Sequence, residues 1–235
     1  MRFHTPLVPG HLIRRYKRFL ADVRLDDGVE VTAHCANPGA MLGLKDPGLR
    51  VWLEPNDDPK RKLNYSWRIA DLENGARVGI DTSLPNKLVK DALATKHITE
   101  LAAYDVIRPE QKYGENSRID FLLQGDNLPD TYVEVKNVHL WRSDDWAEFP
   151  DCVTLRGTKH LGELARMAQA GHRAVMLYVV QHTGCARFKL APDLDPNYAQ
   201  AFADARAAGV EVLCYDSKIE NVGITLDKPL PVFEA

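Results

Sequence analysis

The sequence predicts a two-part α/β (α+β) chain: an OB-like β-barrel over residues 1–83, then a domain of mixed sheet flanked by helices over residues 84–235. Three observations carry this expectation. Before residue 84, short β-patterned runs are separated by Gly, Pro, Asn and Asp, as in small barrels. After it, helical stripes alternate with strands, the order that builds an α/β sheet. Finally, "RAVMLYVVQ", residues 173–181, is apolar almost throughout, as a strand buried on both faces must be.

The elements follow in order. "RRYKRFLADVRL" and "VEVTAHCA" flank the turn "DDG" and read as a hairpin. "LRVWLEP", "LNYSWRIADL" and "ARVGIDT" supply three more strands. Between them, Asn37-Pro38-Gly39 is a turn, and Ala40-Met41-Leu42 an apolar loop or helical turn packing on the barrel. "LPNKLVKDALATKHITELAAYDVI" reads as one helix with Pro85 and Asn86 at its start. "TLRGTKHLGELARMAQAG" is a second helix, striped by Leu161, Leu164, Ala165 and Ala168 and stopped at Gly171. "DPNYAQAFADARAAG" is a third, capped by Asp195, entered through Pro196 and ended at Gly209. "VEVLCYDSKI" closes the domain as a strand.

Composition narrows the function. The 235 residues are 45% hydrophobic and 27% charged, ordinary for a globular chain. No apolar run is long enough for a membrane helix or a signal peptide, so the expectation is a soluble, cytoplasmic protein without a membrane partner. Cys35, Cys152, Cys185 and Cys214 are scattered and are expected to be reduced thiols. The net charge of −3 does not by itself suggest nucleic acid. Its distribution says more, because residues 1–24 hold six Arg or Lys against one acid. Arg14, Arg15, Lys17 and Arg18 lie near Tyr16, Trp52, Tyr65, Trp67 and the run Lys60-Arg61-Lys62. Interleaved cations and aromatics suit single-stranded nucleic acid, since phosphates pair and bases stack. A solvated strand whose Arg stems cover apolar surface accounts for the same pattern.

The segment "IDFLLQGDNLPDTYVEVKN", residues 119–137, carries the chemistry. Two alternating strands surround a turn centred on Asn127, so Asp120 is expected opposite Glu134. Period two then places Asp120, Glu134 and Lys136 on one face, and Ile119, Phe121, Leu123, Val133 and Val135 on an apolar one. Opposed carboxylates repel unless a cation sits between them, and hard oxygen ligands suit Mg²⁺ or Mn²⁺. A patch of surface ion pairs is the alternative. Arg156, Lys159 and His160 cluster at the start of the second helix, where phosphate is readily gripped.

Asp, then Glu-x-Lys on the next strand after a helix, resembles the PD-(D/E)xK nuclease superfamily, with Ile119 where Pro is usual. "RRYKRFLADV", "HCANPGAMLGL", "SLPNKLV", "SRIDFLL", "YVEVKNV" and "FPDCVTLRGTKHL" together resemble the sugar fermentation stimulation protein A family, from about residue 8 to about residue 222. Cys152 and Leu155 depart from the commoner residues of the last block. The resemblance implies an OB-like domain joined to a PD-(D/E)xK domain, non-specific binding of single- or double-stranded DNA, and a regulatory role in sugar (maltose) metabolism. It also implies a metal held by Asp120, Glu134 and the Val135 carbonyl, with Lys136 as catalytic partner and Glu100 as the extra helix-borne acid. The competing expectation is an inactive DNA-binding module that keeps the nuclease fold for grip. A third expectation, a small-molecule sensor of sugar status, has no aromatic–polar cluster that specifically supports it. No Walker loop, G-x-G-x-x-G, G-x-S-x-G or helix-turn-helix is present. The oligomeric state is left open, a homodimer included.

Overall fold

The computed structural model describes residues 1–114 and 117–233. Its first part is built from β1 (Val8–Tyr16), β2 (Leu20–Leu25), β3 (Glu30–His34), β4 (Arg50–Pro55), β5 (Tyr65–Asp71) and β6 (Arg77–Gly79). The order β3-β2-β1-β4-β5 closes through a β3–β5 pairing into a five-stranded barrel, and β6 continues beyond β5. Leu12, Val23, Val51, Leu53 and the fully buried Trp67 fill it, and Trp67 Nε1 donates to the Ile69 carbonyl at 3.0 Å. Met41 from the Asn37-Pro38-Gly39 loop plugs the same core, as the apolar loop was expected to.

The run "RRYKRFLADVRL", expected as one hairpin arm, is itself a hairpin. Lys17 (φ 49°), Arg18 (φ 63°) and Phe19 form its three-residue turn between β1 and β2, the first two of them left-handed. Left-handed backbone strains any residue with a Cβ, and Gly or Asn carries it most easily. Neither Gly nor Asn announces the turn, so it is invisible to composition. Replacing Lys17-Arg18 by Asn-Gly is expected to raise stability by about 1 kcal/mol, read as a higher urea midpoint at unchanged slope.

The second part begins with α1 (Leu84–Ala94) and a 3₁₀ turn (Thr99–Leu101). It continues through β7 (Val106–Tyr113), β8 (Ser117–Gln124), β9 (Thr131–Val138), β10 (Trp146–Phe149), α2 (Leu155–Gln169) and β11 (Arg173–Val180). It ends with β12 (Arg187–Leu190), α3 (Pro196–Ala207), β13 (Glu211–Glu220), β14 (Gly223–Pro229) and β15 (Val232–Phe233). The large sheet runs β14-β13-β11-β9-β8-β7, with β9, β11 and β13 parallel and the rest antiparallel. A small parallel sheet, β10-β12-β15, lies apart from it. Alternation along β11 divides the core. Val175, Leu177 and Val179 pack with Leu88, Val89 and Leu93 of α1. Met176, Tyr178 and Val180 pack with Leu161 and Leu164 of α2 and Phe202 of α3.

The single helix expected over 84–107 breaks early. The His97 amide donates to Ala92 O at 2.8 Å and the Lys96 amide to Leu93 O at 3.1 Å, with Lys96 left-handed at φ 55°. This is a Schellman stop with lysine where glycine is usual. Glu100 therefore sits on the 3₁₀ turn and not on the helix.

Two seams join the parts. The Gly79 amide donates to Gln181 O and the Thr183 amide to Arg77 O, so β6 borders the segment after β11. Within the first part, at its junction with α1, Arg68 donates to Glu54 at 2.7 Å and to Asp81 at 2.6 Å, all three largely buried. Residues 1–3, expected with the barrel, instead run against the second part, where the Phe3 amide donates to Val222 O and the Ile224 amide to Met1 O. The four cysteines are free, and no helix among the described residues is long and apolar enough to cross a membrane.

Candidate active site

The hairpin of β8 and β9 has the register expected from a turn at Asn127: Phe121 faces Val133, Leu122 faces Tyr132 and Leu123 faces Thr131. Asn127 itself is left-handed at φ 59°. The ladder stops there, before the expected Asp120–Glu134 pair. Asp120 takes over the next backbone position with its side chain, and Oδ2 accepts the Val135 amide at 2.7 Å. Ile119, expected beside Phe121, belongs instead to the core beneath α2 with Val138 and Leu161. The strands thus part at Asp120, and the carboxyl enters the gap.

Each side chain of the site is positioned by a different element. Asn86, in the first turn of α1, donates from Nδ2 to Asp120 Oδ1 at 2.7 Å. Glu134 on β9 is buried, and its Oε1 accepts Lys136 Nζ at 2.6 Å. The same oxygen is hydrogen-bonded to Nδ1 of His160, which α2 carries nearly two turns after its Thr154 cap. Lys136 Nζ lies 3.3 Å from that Nδ1, and Arg156 Nε lies 3.4 Å from the other ring nitrogen. Glu134 Oε2 is buried with no hydrogen-bond partner, as is the hydroxyl of Tyr113 at the end of β7.

The two carboxyls are pushed apart electrostatically. Burial, then the neighbouring Glu134 charge, raise Asp120 to about 6. Burial also works against the charge on Glu134, but the His160 hydrogen bond and the Lys136 charge outweigh it and hold this carboxyl below its ordinary range. Between about pH 4 and 6 the folded chain therefore keeps a proton on Asp120 that the unfolded chain has lost, so this group's contribution to stability falls as pH rises through that window. Asp120→Asn is expected to gain on the order of 2 kcal/mol over the parent at roughly pH 8 in chelator, with the gain fading below about pH 4, read from urea denaturation at each pH.

Other residues singled out by sequence fall elsewhere. Glu100 is exposed; its Oε2 accepts the Tyr215 hydroxyl at 2.6 Å and its carbonyl accepts Arg173. Asn86, not Glu100, is the α1-side neighbour of Asp120. In the sequence Asn86 shows only as a helix-start signal within "SLPNKLV". Arg15 turns inward and donates to the carbonyls of Arg18, Asn37 and Gly39. Arg14 pairs with Asp22 at 2.8 Å over the Tyr16 ring. Lys17 and Arg18 stand exposed at the hairpin tip. Lys159 lies 3.6 Å from the fully buried Glu163. Loop 37–41, clamped by Arg15, is tied in turn to the segment before α2, where the Met41 amide donates to Asp151 Oδ2 at 3.3 Å.

Chemically, the arrangement offers one buried and one half-buried carboxylate on adjoining strands, with one oxygen of the buried group unpaired and an ammonium and an imidazole beside them. Among the described residues no three His, Cys, Asp or Glu side chains converge tightly enough to bind an ion unaided. An ion here would rest on Asp120 and Glu134, completed by backbone and water oxygens, the partial protein coordination that Mg²⁺ commonly accepts.

Two family models match the chain, one after the other. Residues 13–80 match the SfsA N-terminal OB domain, and residues 83–223 match the sugar fermentation stimulation protein RE domain. A sugar fermentation stimulation protein homolog of Dinoroseobacter shibae is 67% identical over 99% of this chain and 96% of its own length. One from Jannaschia is also 67% identical, over 99% and 97%. Among solved structures, SfsA of Pyrococcus furiosus in complex with Ca²⁺ superposes with a TM-score of 0.88 at 28% identity, covering 99% of this chain and 98% of that one. With both domain models matched in order and relatives this similar along nearly the whole chain, the protein belongs to the sugar fermentation stimulation protein family.

Proposed function

We propose that this protein binds DNA without sequence specificity and cleaves it at a divalent-metal site formed by Asp120 and Glu134. The observation that carries the reading is the division of labour on Glu134. Lys136 and His160 share Oε1, while Oε2 is buried and unpartnered. A buried carboxylate oxygen without a donor is costly, and a cation would satisfy it. The same ion would relieve the repulsion that raises Asp120. The Ca²⁺ bound to the Pyrococcus furiosus relative supports a divalent ion in this family. Mg²⁺ or Mn²⁺ is our choice for the working ion, because hard oxygen donors suit both.

When bound, the ion would lower the pKa of its water and offset charge on the phosphate. Asn86 and the Val135 amide fix the Asp120 carboxylate, and the Val135 carbonyl would help hold the ion. Lys136 orients the attacking water or steadies the developing charge. His160, bridging Glu134 and Arg156, holds Glu134 and is placed to move a proton. Arg156 and Lys159 grip the phosphates on one side. Lys17 and Arg18 extend the grip along the barrel, with Arg14 beside them. Arg15 acts indirectly, by bracing the hairpin against loop 37–41. In a cell this activity would serve the regulation of sugar (maltose) use, in the cytoplasm.

The test is a digestion panel with Mg²⁺ or Mn²⁺ on single-stranded, duplex and branched DNA and on RNA. It is paired with binding measured across salt concentrations. Cleavage that needs the metal, and affinity that falls steeply with salt, are the expected results. Intact binding with no cleavage of any substrate would reduce the protein to a DNA-binding module.

A further inference from the structure

The seam between the barrel and the second part encloses a cavity of about 750 Å³, within the range of small-molecule sites and at the kind of boundary where they concentrate. Its walls come from barrel loops 42–50 and 71–74, and its floor from His139, Trp141 and His182. None of Asp120, Glu134, Lys136 and His160 lines it.

The floor has an unmet need. His182 is 1% exposed, and its Nδ1 accepts the Gly184 amide at 3.0 Å. A neutral ring used in this way carries its hydrogen on Nε2. That Nε2 is buried without a partner. Burial, then the nearby His139, push the ring down to about 4, so it stays a neutral donor at physiological pH. Beside it stands the Trp141 indole, its ring 5.7 Å from that of His182. The rim supplies the opposite polarity through the exposed carboxylates of Asp46 and Glu73. Two other charged groups in the lining are already engaged. Arg50 is held by Asp26 through two hydrogen bonds, and Asp71 accepts from Trp52 and Arg77.

A buried neutral donor, an aromatic face and acceptors at the rim, with the one arginine spent, select against anions. A simple cation would have no use for the imidazole donor. A molecule that donates and accepts through hydroxyls and offers an apolar ring face to stack uses all three. We propose that this cavity binds a neutral carbohydrate of one or two rings, with Trp141 as the stacking platform, His182 Nε2 donating to a hydroxyl and Asp46 and Glu73 accepting from others. Four separate segments assemble the cluster, which is why no linear motif shows it. The proposal is independent of the nuclease reading.

The experiment is calorimetric titration of the full chain with glucose, maltose and trehalose, with glucose 6-phosphate, adenosine and spermidine as comparators. At least one neutral sugar is expected to bind. Glu73→Gln, on the exposed rim where folding is not at stake, and Trp141→Ala are each expected to weaken it roughly tenfold or more. Arg156→Ala is expected to leave it unchanged. Absence of heat with all three sugars, equal affinity in both cavity variants, or tighter binding of the phosphate, the nucleoside or the polyamine than of any sugar would each overturn the proposal.

Discussion

Glu134→Ala and Asp120→Ala are each expected to lower Mn²⁺-dependent DNA cleavage by roughly 10²–10⁴-fold, because a bound ion is worth several kcal/mol of transition-state stabilisation and neither carboxylate alone holds it. The two losses should differ in their side effects. Glu134→Ala also leaves Lys136 and His160 without their shared acceptor, so it disturbs α2 as well as the ion. Asp120→Ala removes the anchor of the Val135 amide and of Asn86 but leaves the Lys136–Glu134–His160 cluster standing. Asn86→Ala is expected to cost about tenfold through misplacement of Asp120. Glu100→Ala should leave the rate at parental level, since that side chain is occupied with Tyr215. Cleavage that survives in both alanine variants of the carboxylates, or that disappears with Glu100→Ala, would mean the wrong residues have been assigned. Rates from initial velocities at saturating Mn²⁺, with circular dichroism to confirm folding, decide between these outcomes.

Arg68→Ala is expected to destabilise the whole chain by about 3–5 kcal/mol, the usual cost of stranding buried partners of a lost charge. Glu54 is 4% exposed and Asp81 is 7% exposed, and Arg68 bridges both. Each acid has other duties. Glu54 Oε1 accepts the His4 amide, Asp81 Oδ1 accepts the amide and hydroxyl of Ser83 just before α1, and Asp81 O accepts Gln181. Without the guanidinium, two like charges face one another at the root of α1, the helix that carries Asn86. The melting temperature should fall by about 10 °C. A fall of only a degree or two would show that water reaches the pair and that the bridge contributes little. Arg68→Lys should recover only part of the loss, since an ammonium lacks the fork that reaches both acids.

Much of this molecule is legible in its sequence. Register was legible because the period-two pattern of 119–137 and the turn at Asn127 admit one in-register pairing. The α2 and α3 ends were legible because Thr154, Asp195, Gly171 and Gly209 obey capping chemistry that depends on few residues. Failures occurred where ordinary residues adopt unusual backbone. Lys17, Arg18 and Lys96 are left-handed, and lysine and arginine give no warning of it. The β1–β2 hairpin and the early end of α1 therefore leave no mark in the sequence pattern. Glu100 was misplaced as a consequence. Asn86 was overlooked for a different reason. Its side chain reaches Asp120 across 34 residues of sequence, and local patterns carry no such information. The departure of Ile119 from its expected face has the same origin, because a strand that splays at a side chain breaks the alternation on which the assignment rested.

The placement of β6 has a bearing on how the molecule unfolds. Its three residues pair with β5 inside the barrel, while their outer edge is satisfied by residues 181–183 of the second part. Neither part can open along this line without baring amides and carbonyls of the other, together with the buried Asp81–Gln181 contact. The two parts, recognisable as separate in sequence, are thereby coupled into one cooperative unit, so that heat or denaturant meets a single transition where two modules on a flexible linker would show two.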